Sequence, residues 1–339
     1  MCSKQVLELI ATSRFVELRT KLLKMCCKKC EGIMGFRKTE IRKQFYKNRK
    51  IYVLLIPALI WYILFSYVPM GGLILAFKSY KANLGIWGSP FVGFANFKRL
   101  FSNPKFFTAL KITLKINVGR LLITFPFSII LALLINEVRI GKGKKIYQWI
   151  FTFPHFLSWV VVASIATNVL SYDGMVNSII KMMGGDYKKF LGNEDFFAPL
   201  VYITEIWKTA GWNSIIYMAA ISGIDTEQYE AADIDGAGRF VKMTRITLPS
   251  IAPTITIMFI LATGNLMTTG FNQIFNLSNA AVQNVSQTLD MYIYNVTFRA
   301  VPDFGYSTAV SLFRSIVNLI LLVFADKLSK KLGGNGLLG

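Results

Sequence analysis

Residues that could do chemistry are sparse in this chain, and most of them sit inside apolar sequence. No HExxH, no GxSxG and no pair of intramembrane carboxylates occurs, so the parts of metal-dependent and serine hydrolysis are missing. No GxxxxGK[ST] phosphate loop occurs either; Gly141-Lys142-Gly143-Lys144-Lys145 is a basic turn without that spacing. Cys2, Cys26, Cys27 and Cys30 include one CxxC, but no second pair and no nearby histidine completes a zinc site. A disulfide framework is not expected if that end is cytosolic. His155, the single histidine, has no second imidazole with which to hold a metal. These residues predict a chain that is not an enzyme and carries no metal of its own.

Charges buried in apolar blocks are the other candidates. Glu205 and Lys208 stand at i, i+3, a spacing that lets them pair on one helix face. A structural pair at Glu205 is the favoured reading over a proton or ion site. Arg314 falls about 15 Å into the last block, where it needs a partner or a water-filled path. Lys111, Lys115 and Arg120 lie near the outer end of a helix and are expected to snorkel.

Those blocks define the elements. The chain has 339 residues, 53% hydrophobic and 17% charged, with a mean hydropathy of +0.46. A soluble domain carries charge on about a quarter of its residues. Apolar stretches at 51–77, 109–136, 147–171, 197–221, 250–270 and 304–325 are each long enough for the roughly 20 helical residues that cross a bilayer. The expectation is an all-α polytopic membrane protein with six transmembrane helices. Pro57, Pro69, Pro126 and Pro154 should kink them. A net charge of +20 need not mean nucleic acid, because much of the excess sits in residues 1–50 and the rest flanks apolar blocks.

Orientation follows from the basic residues. With the N-terminus inside, the inner segments hold 24 Lys and Arg and the outer segments 9, so both termini are expected in the cytoplasm. The expected layout is a basic extension 1–50, a first transmembrane helix and outer loop 51–108, a transmembrane core 109–325 and a cytoplasmic tail 326–339. Val6, Leu9, Ile10, Leu18 and Leu22 mix with Arg14, Arg19, Lys21 and Lys24 at roughly helical spacing, which suits a helix on the anionic inner leaflet. A disordered basic tail, or a translation start at Met25 or Met34, fits the same residues.

One inner segment, 222–249, is patterned rather than merely polar. Asp225 or Thr226 can cap a short helix, with Gln228 three residues after Asp225, and Glu227 and Glu230 sit in its first turns. Ala231 and Ala232 give a small face, Gly236 stops the helix, and Pro249 opens the next span. Glu230-Ala231-Ala232, Gly236 and Ile246-x-Leu248-Pro249, at these spacings, resemble the EAA loop of permease subunits in binding-protein-dependent ABC importers. Asp235-Gly236-Ala237 and Pro253 resemble the carbohydrate, maltose-type branch. Pro154-His155-Phe156, Phe271-Asn272-Gln273-Ile274-Phe275 and the basic extension are similar to permeases of complex oligosaccharides or polysaccharides.

The resemblance implies that the loop at 225–249 is a cytoplasmic coupling helix between spans 4 and 5. Glu230, Ala231, Ala232, Asp235, Gly236, Ala237, Ile246, Leu248 and Pro249 would dock an ATPase subunit. It also implies a second homologous permease, two cytoplasmic ATPase subunits that hold ATP and Mg, and an extracytoplasmic solute-binding protein, all at a bacterial cell membrane. The cargo would be a sugar, with no nucleic-acid partner. Sugars need aromatic faces and amide or hydroxyl groups, and the candidate path residues are Trp207, Thr209, Trp212, Asn213, Asn265, Thr269, Asn272, Gln273 and Arg314. Trp at a membrane interface is also a common anchor. Glycerol-phosphate or another polar solute remains an alternative cargo, and an ion-gradient-driven secondary transporter an alternative class.

Overall fold

The computed structural model describes residues 43, 46–138, 142–268, 270–299, 301–331 and 336. The four cysteines, the expected inner-leaflet helix and Thr269 lie outside them. Two compact units result, Met1–Gly72 and Leu73–Gly339. Every regular element among the described residues is a helix, and the sole pairing of extended chain among them is an isolated bridge between Lys78 and Phe91.

The first unit holds α1 (Arg49–Tyr62), with Pro57 inside it, followed by a π-helical turn Ile63–Tyr67 and a short turn carrying Pro69. A proline cannot donate to the turn before it, and a widened turn is one way for a helix to absorb that loss. Leu54, Ile60, Trp61 and Phe65 are all exposed. Such a run of exposed apolar side chains suits lipid, not water.

In the second unit, α2 (Pro104–Glu137) is 34 residues long, capped by Asn103, whose side chain accepts from the Lys105 amide, with Pro104 in the first turn. The third apolar block does not form the single helix expected over 147–171. It breaks into α3 (Lys142–Thr152), a 3-10 turn Phe153–Phe156 and α4 (Trp159–Leu170), the last capped by Ser158. Pro154 removes an amide, and the carbonyls of His155 and Leu157 are left without helical donors; Lys208 Nζ supplies them, at 2.6 and 2.5 Å.

The α5 helix (Glu194–Ser222) is capped by Asn193 and carries Glu194 and Asp195 in its first turn, where the helix dipole favours acids. It packs closely on the end of α3 at Gly211, where an added Cβ would lie 2.0 Å from the Phe151 carbonyl oxygen. After it come α6 (Thr226–Ile234), α7 (Ala252–Gly264), α8 (Phe271–Leu277), α9 (Leu289–Tyr294) and α10 (Phe304–Lys331).

Four helical stretches among the described residues are long and apolar enough to cross a membrane: Arg49–Phe77, Pro104–Glu137, Trp159–Met182 and Phe304–Lys331. A fifth is the pair Arg239–Ser250 and Ala252–Gly264, bent by 61° at a short break. The expected fourth span, α5, has the length at 29 residues but not the apolarity. Glu205, Lys208, Thr209 and Asn213 interrupt it; Lys208 is buried, Glu205 and Thr209 are half-buried and Asn213 is exposed.

Three buried clusters hold the second unit together. One joins the C-terminal halves of α2 and α5 through Leu131, Ala132, Ile135, Tyr217 and Ile221. Another gathers Ile116, Ala163, Val201 and Ile274 from four helices. The third sets Phe106, Leu289, Tyr292 and Tyr306 together beside Asn103, whose side-chain amide donates to both tyrosine hydroxyls. Burial, and then the hydrogen bond with Tyr306, push the Tyr292 hydroxyl well above its ordinary pKa.

Candidate functional site

Along α2, Asn117, Arg120, Thr124 and Ser128 recur at three- and four-residue steps, which puts them on one face. Along α5, Glu205, Thr209, Asn213 and Tyr217 recur every four residues. The two stripes face one cavity of about 380 Å³, closed on a third side by Met258, Leu261, Ala262 and Asn265 of the α7 region. Each helix thus turns a polar stripe toward one partly open space. Hydroxyls and amides dominate its polar lining, and Phe125 and Tyr217 supply aromatic surface.

The third wall is where the backbone leaves the helix. After α7 the chain unwinds before restarting at Gly270, whose φ of 68° places it in the left-handed region natural to glycine. Freed backbone groups are satisfied by neighbours: Asn117 Nδ2 donates to the Leu266 carbonyl at 2.6 Å, and Asn318 Oδ1 accepts from the Met267 amide at 2.9 Å. Irregular backbone at membrane depth is tolerated where it lines a cavity or is buried in protein, and both apply here.

Arg120 is the cation of the cavity, and it does not snorkel as expected. Its guanidinium donates to Gln273 Oε1 and, at 3.3 Å, to Asn117 Oδ1. Gln273 is itself fixed, donating to the Val201 carbonyl at 2.8 Å and to Thr204 Oγ1 at 3.0 Å. Glu205 Oε2 lies 3.4 Å from Arg120 Nη2. The expected Glu205–Lys208 ion pair is therefore replaced: Glu205 pairs across helices with Arg120, and Lys208 is spent on the carbonyls beside Pro154. Tertiary geometry outbids the local i, i+3 option, because Lys208 is buried against two carbonyls that would otherwise lack donors. Lys111 and Lys115 are exposed.

Of the predicted path residues, Thr209, Asn213 and Asn265 line the cavity. Gln273 stands behind Arg120, fully buried, rather than in the lining. Trp207 points away, two positions from Glu205 and so on the opposite face of α5. Trp212 stacks on His155, with ring centroids 4.3 Å apart and planes 4° from parallel. Asn272 is exposed outside the cavity. Arg314 does find the partner it needed: it pairs with Asp290, away from the cavity. Asn117, Arg120, Thr124, Ser128 and Tyr217 were missed, although the helical spacing of four of them in α2 is visible in the sequence.

The patterned loop forms as its residues dictate. Asp225 caps α6, its carboxylate accepting from the Glu227 amide at 3.1 Å. At the other end, the Ala237 amide donates to the Ala232 carbonyl at 2.8 Å and the Gly236 amide to Asp233 at 3.1 Å. That double bond is the Schellman closure, which needs a left-handed residue at 236; Gly236 has φ 73°. Glu230, Ala231, Asp235, Leu248 and Pro249 are exposed, and Ala232, Ala237 and Ile246 half-buried. Two contacts tie α6 to the segment that follows: the Tyr229 hydroxyl with Thr247 Oγ1 at 2.8 Å, and Lys242 with Asp233 at 2.6 Å.

Comparison with known proteins adds a family. The profile described as "Binding-protein-dependent transport system inner membrane component" matches residues 124–334. The polygalacturonan/rhamnogalacturonan transport system permease protein YteP of Bacillus subtilis (strain 168) is 44% identical over 292 residues, covering 86% of this chain and 91% of its own. Protein LplB of the same organism is 42% identical over 294 residues, covering 86% and 92%. Among solved structures, a bacterial ABC transporter involved in the import of the acidic polysaccharide alginate is similar, with a TM-score of 0.79 and 35% identity over 86% of this chain and 99% of that one.

Proposed function

The chain belongs to the family of binding-protein-dependent transport system inner membrane components, and from that premise we propose that it is the permease subunit of an ATP-driven importer whose cargo is an oligosaccharide. The observation that carries the cargo is the pair of polar stripes, one from α2 and one from α5, that face one cavity. Amides and hydroxyls suit the ring of sugar OH groups, and Phe125 and Tyr217 suit the C–H faces. The names of the polygalacturonan/rhamnogalacturonan and alginate transport proteins support the same class.

Six spans complete the reading. The broken α3–α4 element counts as the third and α5 as the fourth, its polar face turned inward so that lipid meets its apolar one. The excess of basic residues on the inner segments supports cytoplasmic termini and a cytoplasmic α6. There α6 and its Schellman turn would seat Glu230, Ala231, Ala232, Asp235, Gly236 and Ala237 in a groove of an ATPase subunit, with Ile246, Leu248 and Pro249 carrying motion into α7. A second permease, two ATPase subunits and an extracytoplasmic binding protein complete the machine. ATP-driven closure moves the coupling helices and opens the cavity outward, and hydrolysis resets it. Such a device rests on a differential affinity of ATP for the closed state, so energy enters through α6 rather than through an intramembrane ion site.

Reconstituted vesicles test this. Saccharide uptake should survive a proton ionophore and stop on ATP depletion. The opposite pattern would assign the chain to gradient-driven transport. Co-purification in mild detergent should return a second permease and ATPase chains.

A further inference from the structure

The proposed reading leaves the charge in the cavity unexplained, and the arrangement around it is specific. Arg120 is held from behind by neutral acceptors: Asn117, and a Gln273 that is itself anchored to Val201 and Thr204. Removing an acid would not release it. The acid it meets, Glu205, is only 3.4 Å away at its nearest oxygen, longer than a good charge-assisted hydrogen bond. Arg120 and Glu205 are both part of the cavity lining, with side chains 14% and 23% exposed, so a solute entering the cavity reaches both. Lys208 stands three residues beyond Glu205 on the same helix, and its ammonium has three donors, of which two go to the carbonyls of His155 and Leu157.

From this geometry, and resting on the oligosaccharide reading above, we propose that Glu205 is a resident counter-ion which a carboxylate of an acidic saccharide replaces on Arg120. In the empty cavity the pair is neutral, which suits a low-dielectric site. A cargo carboxylate takes the guanidinium edge that Glu205 holds, and Glu205 turns toward the third donor of Lys208. Counting Lys208, the cluster carries one net positive charge when empty and none when a cargo carboxylate is bound. A neutral saccharide offers nothing in exchange for Glu205, so the cavity discriminates for acid against ester. The cation is built in by Gln273, and selectivity comes from how weakly its partner holds it.

The test uses the whole importer in proteoliposomes with its binding protein and ATP. The probes are a galacturonate trimer and its methyl ester, which keeps the size and removes the charge. Arg120→Gln should cut trimer uptake by about tenfold or more, while ATPase stimulation by the loaded binding protein persists and Arg120→Lys recovers part of the uptake. Glu205→Gln should lower the KM for the trimer about threefold, since the competitor for Arg120 is gone. If Glu205→Gln loses trimer uptake as severely as Arg120→Gln, the pair is structural and the exchange is wrong. If both variants import the trimer like the parent, or the parent prefers the ester, the acidic cargo is wrong and the oligosaccharide permease stands. Import of neither saccharide by the parent would overturn the oligosaccharide reading itself.

Discussion

The α6 loop and the cavity are built on opposite principles. The loop is rigid through its own backbone: an aspartate cap at one end, a Schellman turn at the other, and just two side-chain ties to the segment that follows. Its apolar residues face outward, with Ile234 88% and Phe240 73% exposed. The cavity is assembled from distant parts of the chain. Its polar residues come from α2, α5 and the end of α7; helix packing brings the stripes together, and long-range bonds from Asn117 and Arg120 tie them. A peg must keep its shape against a partner, so its geometry is written in consecutive residues. A path must be shaped by what surrounds it, so its geometry is distributed. On the proposed function, the first handles energy and the second handles cargo.

This difference makes the two regions separable by substitution. The largest effect is expected at Gly236. Proline cannot take φ 73°, so Gly236→Pro removes the turn that closes α6, and coupled uptake should fall about a hundredfold with membrane insertion intact. Glu230→Lys should uncouple hydrolysis from uptake in the same way, with a smaller loss. Normal uptake in both variants would remove α6 from the energy path. Next comes Asn213→Leu, which puts an apolar group of similar size into the polar lining; uptake should fall about tenfold while stimulated ATPase activity is unchanged.

Gly211→Ala sharpens the packing side of the comparison. Its Cβ would meet the Phe151 carbonyl oxygen at 2.0 Å, so α5 and the end of α3 must separate. A cost of about 1–3 kcal/mol is typical of such overpacking, and the melting temperature in detergent should drop by about 5 °C. An unchanged melting temperature would mean that the two helices do not approach so closely. The smallest effect is expected at Trp207→Ala. This residue lies on the face of α5 away from the cavity, and uptake should change by less than about twofold. A large loss there would redraw the path.

The same contrast explains what could be read from residues alone. Caps, turn glycine and motif spacing of α6 are local quantities, and the helix forms where Asp225 and Gly236 say it should. The α2 stripe Asn117, Arg120, Thr124 and Ser128 was equally visible, but its meaning depends on α5 presenting a matching stripe, which spacing within one helix cannot disclose. Trp207 and Trp212 have the chemistry for a sugar but lie outside this cavity, at azimuths that spacing alone does not give. Arg120 looked like a snorkelling residue because its partners are 85 and 153 positions away, at Glu205 and Gln273. The same holds for the broken third block: Pro154 signals a kink, but the lysine that makes a full break affordable sits in another helix.

The most direct measurement is the coupling ratio, saccharide imported per ATP hydrolysed, taken on Gly236→Pro and Asn213→Leu in identical proteoliposomes with loaded binding protein. The account predicts that Gly236→Pro keeps basal hydrolysis but loses both its stimulation by the binding protein and uptake, so that the two are uncoupled. It predicts that Asn213→Leu keeps the stimulation and loses the uptake. If both variants depress hydrolysis and uptake in the same proportion, energy and cargo are not handled by separate regions, and the division between loop and cavity is wrong.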